Sequence, residues 1–159
     1  MTSTVGREGT RRSVAPPGYA AILALEMSRE NVELVKRLTE IGRAGDLDAY
    51  FEFVADDVSG TDLRGAPDAP AAFHNKQELR EIWERFTAVF DGFTREVDEY
   101  VAVGDWVITV GRWVGTSRGT GVHVQEFGVN AARISDGKIA EAIFSFRDKQ
   151  TAIEAVRGR

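Results

Sequence analysis

Apolar residues recur at two different periods along the chain, and the change between them divides it in half. From Met27 the spacing is helical: Val32, Leu34, Val35, Leu38 and Ile41 return every three or four residues behind Ser28, a plausible N-cap. Gly45 can end that helix, and Asp46 can cap a short second one carrying Leu47, Tyr50, Phe51 and Val54. An extended segment from Asp56 to Asp62 and a Gly/Pro/Ala-rich loop from Gly65 to Ala72 follow. A third helix opens at Asn75, with Glu78 three residues on, and sets Leu79, Ile82, Trp83, Phe86 and Phe90 on one face. After Gly92 the period becomes two. Four strands are predicted over Phe93–Val103, Trp106–Thr116, Val122–Ile134 and Ile139–Phe146, separated by Gly104-Asp105, by Ser117–Gly121 and by Ser135-Asp136-Gly137. Asp148 can cap a closing helix through Val156. Helices first and then a meander of long strands is an α+β arrangement, with helices on one face of an antiparallel sheet.

The first 26 residues break this order. MTSTVGREGTRRSVAPPGY has no apolar period and reads as a flexible N-terminal extension, leaving residues 27–159 as the folded domain. The six apolar residues from Ala20 to Leu25 are too few for an export signal, which needs about 7–15, and nothing approaches a membrane span. A cytoplasmic protein is the expectation.

Composition narrows the function classes. With 43% apolar and 28% charged residues, 159 residues suit one globular core. A net charge of -5 lacks the basic balance of a nucleic-acid binder. Zero cysteines remove disulfides and thiol chemistry, and the two histidines, His74 and His123, are too far apart in sequence to suggest a metal site. No P-loop, GxGxxG, HExxH or GxSxG pattern is present, so no cofactor is expected.

Four stretches carry a family resemblance: SRENVELVKRL, AGDLDAYFEFVADDVSGTD, FHNKQELREIW, and the SDGKI turn followed by FSFRDKQTAIEAV. In this order they resemble the SnoaL-like group of the nuclear-transport-factor-2 (NTF2-like) superfamily, over about 130 residues from Met27. The resemblance implies a cone-shaped curved sheet wrapped around N-terminal helices, as in ketosteroid isomerases and polyketide cyclases. It also implies homodimers that pair through the outer sheet face. Because this fold hosts isomerases, cyclases, dehydratases, epoxide hydrolases and non-catalytic binders, function has to be argued from the site.

Asp62 ends the extended segment where the isomerases carry their proton-shuttling aspartate. In that role partial burial would raise its pKa; the alternative is an Asx-turn onto its own backbone. Asn130 stands where the isomerases place an oxyanion-hole carboxylic acid, and its amide N–H could donate to an enolate. Leu38 falls where the isomerases have a donor tyrosine, and leucine cannot donate; Tyr50, Tyr100 or Trp83 would have to serve instead. With the long hairpin's turn centred on Gly119, Ile108 faces Asn130 and Arg112 faces Glu126. One face would then hold Ile108, Val110, Arg112, Glu126 and Asn130, with Trp113, Phe127 and Val129 on the other. Arg112 and Glu126 are either an anion-holding pair or a cross-strand ion pair worth about 0.2–1 kcal/mol. Trp83 and Phe86 would be core or cavity wall. The expected ligand is a small apolar or cyclic carbonyl compound. The chain is either a cofactor-free isomerase, cyclase or dehydratase with Asp62 and Asn130 as catalytic groups, or a non-catalytic binding or dimerisation module.

Overall fold

A computed structural model describes residues 18–64 and 71–159. Helix α1 (Tyr19–Arg43) and the short α2 (Leu47–Phe51) lead into β1 (Val54–Asp62) and β2 (Ala72–Phe73). Then come α3 (Lys76–Val89), β3 (Phe90–Val103), β4 (Trp106–Ser117), β5 (His123–Ser135), β6 (Lys138–Phe146) and α4 (Lys149–Arg157). The six strands form one sheet in the order β2-β1-β6-β5-β4-β3. The α+β class and the helix-then-meander order are as expected. One junction differs, because β1 runs parallel to β6 while the other four junctions are antiparallel. The whole meander separates β1 from β6, so no tight hairpin dictates their relative direction.

Three helices start where their caps predict. Asp46, Asn75 and Asp148 each accept a hydrogen bond from the backbone N–H three residues on, at 3.0, 2.9 and 2.7 Å. Glu78 reaches back to the His74 N–H at 2.6 Å, one residue before the cap. Helix α1 is the exception. It begins at Tyr19, with Gly18 at its N-cap, so Ser28 is an internal residue and the helix starts eight residues before Met27. Its first turns are exposed: Ile22, Leu25 and Met27 all face solvent, so no apolar period marked them. Residues 1–17 and the loop residues 65–70 lie outside the described residues. Phe90, placed on the third helix by its spacing, instead opens β3 directly after Val89.

Two cores flank the sheet. On the concave side, Val35 and Leu38 of α1, Phe51 of α2 and Leu79 of α3 pack with Val54, Val58, Val107 and Ile139. On the convex side, Ala152 and Val156 of α4 cover Trp106, Ile108, Val129, Ile143 and Phe146. Part of the cover expected from a second copy is therefore supplied by the chain's own last helix. Phe127, farther along β5, stays 60% exposed. Shifts of register in β3, at Asp91/Thr94 and Val97/Glu99, interrupt the longest ladder and bend it around the helices. Among the described residues no helix is long and apolar enough to cross a membrane.

The hairpin register differs from expectation by one residue. Thr109, not Ile108, lies opposite Asn130, and Arg112 lies opposite Phe127. The turn spans residues 117–122, an even number, so its centre falls between Gly119 and Thr120 rather than on Gly119. Gly121, at φ +71°, closes it by donating to Ser117 O at 2.8 Å, and Ser117 N–H donates to Val122 O at 2.9 Å. A one-residue slip exchanges the faces. Ile108, Val110 and Arg112 therefore leave the cavity side, and Trp113 joins it.

Candidate functional site

The concave face of the sheet and the three helices enclose a cavity of about 150 Å³. Its wall is mostly apolar, from Val35, Leu38, Val107, Ala132 and Ile139, with Tyr50, Trp83, Phe93 and Trp113 along one side. A smaller pocket of about 30 Å³ adjoins it and contains Asp62, Arg64 and Phe86. Leu79, Trp83, Phe93, Trp113 and Phe144 line both spaces. The aromatic wall is ordered by its own packing. Phe93 stacks on Trp113 with ring centres 5.2 Å apart and on Phe86 at 5.1 Å, while Trp83 meets Trp113 edge-on at 5.2 Å. Trp83 and Phe86 thus sit on cavity walls, as their helical spacing allowed.

Asp62 lies at the end of β1, in the smaller pocket, with its side chain 18% exposed. It accepts the Arg64 backbone N–H at 3.0 Å, which is an Asx-turn, and two guanidinium contacts, Nε at 3.1 Å and Nη2 at 2.6 Å. Burial alone would raise its pKa. The Arg64 hydrogen bonds and charge outweigh that, helped by the Ser145 side chain, and hold the carboxyl below its ordinary value. The raised pKa expected of a proton-transfer base is absent, because the adjacent cation stabilises the charged form.

Asn130 is buried on the floor of the larger cavity. Ser145, whose φ of +73° is unusual for a residue other than glycine, aims its N–H at Asn130 Oδ1 at 3.0 Å. That contact fixes the amide orientation and leaves the Nδ2 hydrogens as the donors Asn130 can offer. Ser145 therefore touches both polar residues that the resemblance singled out, Asp62 through its side chain and Asn130 through its backbone.

The other expected site residues are elsewhere. Ile108 is fully buried beneath α4, and Val110 packs beside it on the convex face. Arg112 is also on that face. It pairs with Glu96 at 2.8 Å and Asp98 at 3.1 Å on β3, not with Glu126. Glu126 remains on the concave side at the rim, where Arg64 Nη1 approaches it at 3.5 Å. His74 and His123 are exposed.

Arg95 is the residue that motif reasoning passed over. It projects from β3 into the larger cavity and is 9% exposed. Its Nη2 donates to the carbonyls of Thr109 at 2.9 Å and Gly128 at 2.7 Å, and its guanidinium lies over the Trp113 ring at 5.2 Å. Nε and Nη1 are buried without a hydrogen-bond partner, and so is the indole Nε1 of Trp113. Burial pulls the Arg95 pKa down to about 10, against the opposing charges of Tyr100, Asp98 and Tyr50. Tyr50 shows the opposite response: burial pushes its phenol up to about 12, partly offset by Arg95. A signal was present in the sequence, since Phe93, Arg95 and Val97 share one face of an alternating strand.

The SnoaL-like domain family matches residues 35–142, which span both layers of the cone. The chain belongs to the SnoaL-like family. An NTF2-like protein from Burkholderia thailandensis is 27% identical with a TM-score of 0.64, over 81% of this chain and 97% of the other. A protein described as a SnoaL-like polyketide cyclase from Mesorhizobium loti is 24% identical with a TM-score of 0.58, over 72% and 97%. TerC, co-crystallised with polyporic acid, is 18% identical with a TM-score of 0.65, over 82% and 99%. The last two likenesses are of fold. No curated protein matches the chain in sequence. Among the described residues, no group of three or more histidine and carboxylate side chains is placed to hold a metal ion.

Proposed function

We propose that this SnoaL-like chain binds a small, largely apolar ring compound in the cavity between its helices and the concave sheet face. The observation that carries this reading is the cavity itself, about 150 Å³ with an apolar and aromatic wall. Dry apolar cavities of that order take up a single aromatic ring. In this reading Trp83 and Phe86 contact the ligand or its entry path, and Asn130 offers its amide hydrogens. Asp62, neutralised by Arg64, closes the side pocket and does no chemistry. The test is ligand-induced quenching of tryptophan fluorescence with aromatic and cyclic ketone probes, since Trp83 and Trp113 line the cavity while Trp106 lies in the convex core. Ala132→Phe, which fills the cavity, should abolish the response. An unchanged response would place the binding elsewhere.

A second reading is a cofactor-free isomerase, cyclase or dehydratase in which Asp62 moves a proton on a cyclic carbonyl compound. The link from Asp62 through Ser145 to Asn130 favours it. This reading requires Arg64 to leave the carboxylate when substrate arrives, so turnover of cyclic ketones should vanish in Asp62→Asn and rise in Arg64→Ala. We also propose that two copies pair across the convex sheet face around the exposed Phe127. Sedimentation of the wild type and of Phe127→Lys tests that pairing.

A further inference from the structure

Arg95 poses a specific energetic problem. A guanidinium taken out of water is costly unless a counter-charge or a full set of acceptors replaces its hydration. Among the described residues no carboxylate lies within ion-pair distance of it. The nearby acid Asp98 is already engaged by Arg112 on the other face. Backbone carbonyls take up Nη2 alone, which leaves the Nε and Nη1 hydrogens, three of the five that a guanidinium carries, without an acceptor. The two carbonyls and the Trp113 ring also fix the group in place, so it is preorganised. Thr109, whose carbonyl anchors it, is paired directly with Asn130, and Trp113, whose indole N–H is also buried and unpartnered, lines the same cavity. The cavity thus combines an apolar body with one positive, under-used corner.

We propose that the cavity selects organic anions: a ring-sized apolar body bearing one anionic oxygen group, a carboxylate or a phenolate or enolate, that docks on Arg95. This deepens the ligand-binding reading and rests on it. A charge-assisted contact to Arg95 supplies the missing acceptor, and the apolar wall holds the rest of the molecule. The same arrangement disfavours cations, and a bare inorganic anion would leave the aromatic wall unfilled.

The experiment compares benzoate with its neutral isostere benzamide on the full chain by calorimetry, with 4-nitrophenol as a third, optical probe. Benzoate should bind at least tenfold tighter than benzamide. In Arg95→Met that preference should disappear while benzamide affinity stays within about threefold. Trp113→Phe, which keeps an aromatic ring and removes one donor, should weaken the anion selectively. 4-Nitrophenol needs no variant: bound to the wild type, its own ionisation should shift to lower pH, read from phenolate absorbance. Equal binding of benzoate and benzamide together with no shift of 4-nitrophenol to lower pH overturns the anion proposal and leaves the cavity reading standing. Failure of all three probes to bind overturns both. Preference for benzoate without a shift in 4-nitrophenol assigns the site to carboxylates, and the reverse assigns it to phenolates and enolates.

Discussion

Arg64 clamps Asp62 from two residues away, with its backbone N–H on one carboxylate oxygen and Nη2 on the other at 2.6 Å. The pair sits at the end of β1, where the guanidinium also covers the Phe86 ring at 5.3 Å and reaches Glu126 at 3.5 Å. A carboxylate held this way is a good anion and a poor base. Its position suits the chemistry that the family resemblance suggested, but its partner does not.

Asp62 also gives the fold a specific acid response. Its folded pKa lies below the ordinary 3.8, so between those two values the unfolded chain binds more protons than the native one. The stabilisation from the pair is fully present above the ordinary value and is lost as the pH falls through the folded one. Urea titrations from pH 6 down to pH 3 should therefore show a shallower loss of stability in Asp62→Asn than in wild type. Parallel pH profiles would mean that the clamp contributes nothing to folding.

Gly111 is required by close approach between strands rather than by turn geometry. A Cβ there would stand 2.0 Å from the Glu96 carbonyl oxygen across the β3–β4 ladder, and neither backbone can yield without breaking register. Gly111→Ala should destabilise the chain by at least about 1–3 kcal/mol, the usual cost of overpacking. Gly119→Ala, in an open turn with nothing within 4 Å, serves as the control and should be close to neutral. Thermal unfolding of the two variants checks this directly.

The Asn75 cap makes a local prediction. Asn75→Ala removes the acceptor of the Glu78 N–H and should cost about 1 kcal/mol, or roughly 2–4 °C in Tm for a chain of this size. Asn75→Asp should restore most of it, because a carboxylate accepts the same bond. A loss in Asn75→Asp equal to that in Asn75→Ala would argue against the cap as the cause.

Elements that announce themselves locally were readable from the sequence. Asp46, Asn75 and Asp148 each cap the helix predicted from them. Asp136 and Gly137 both adopt positive φ, +52° and +72°, as a tight hairpin turn requires. What could not be read was set by longer-range geometry. The face on which Ile108, Val110 and Arg112 lie depends on whether the 117–122 turn holds an odd or even number of residues, and its composition alone leaves that open. Because of that parity, Arg112 lies on the convex face, and the arginine that occupies the cavity is Arg95. Asp62 ends β1 where the extended segment predicts, yet its charge state depends on Arg64, whose side-chain direction no motif encodes. The early start of α1 went unseen because its first turns bury nothing.

Tyr50 provides the last test, on the wall that it shares with Arg95. Burial raises its phenol from 10 to about 12, although Arg95 pulls the other way. Between those values the folded chain keeps a proton that the unfolded chain has lost. The associated stability is therefore fully present below pH 10 and disappears as the pH climbs through about 12. Ultraviolet titration should show a tyrosine step near pH 12, and Tyr50→Phe should remove that step. A step near pH 12 that persists in Tyr50→Phe would overturn its assignment to Tyr50.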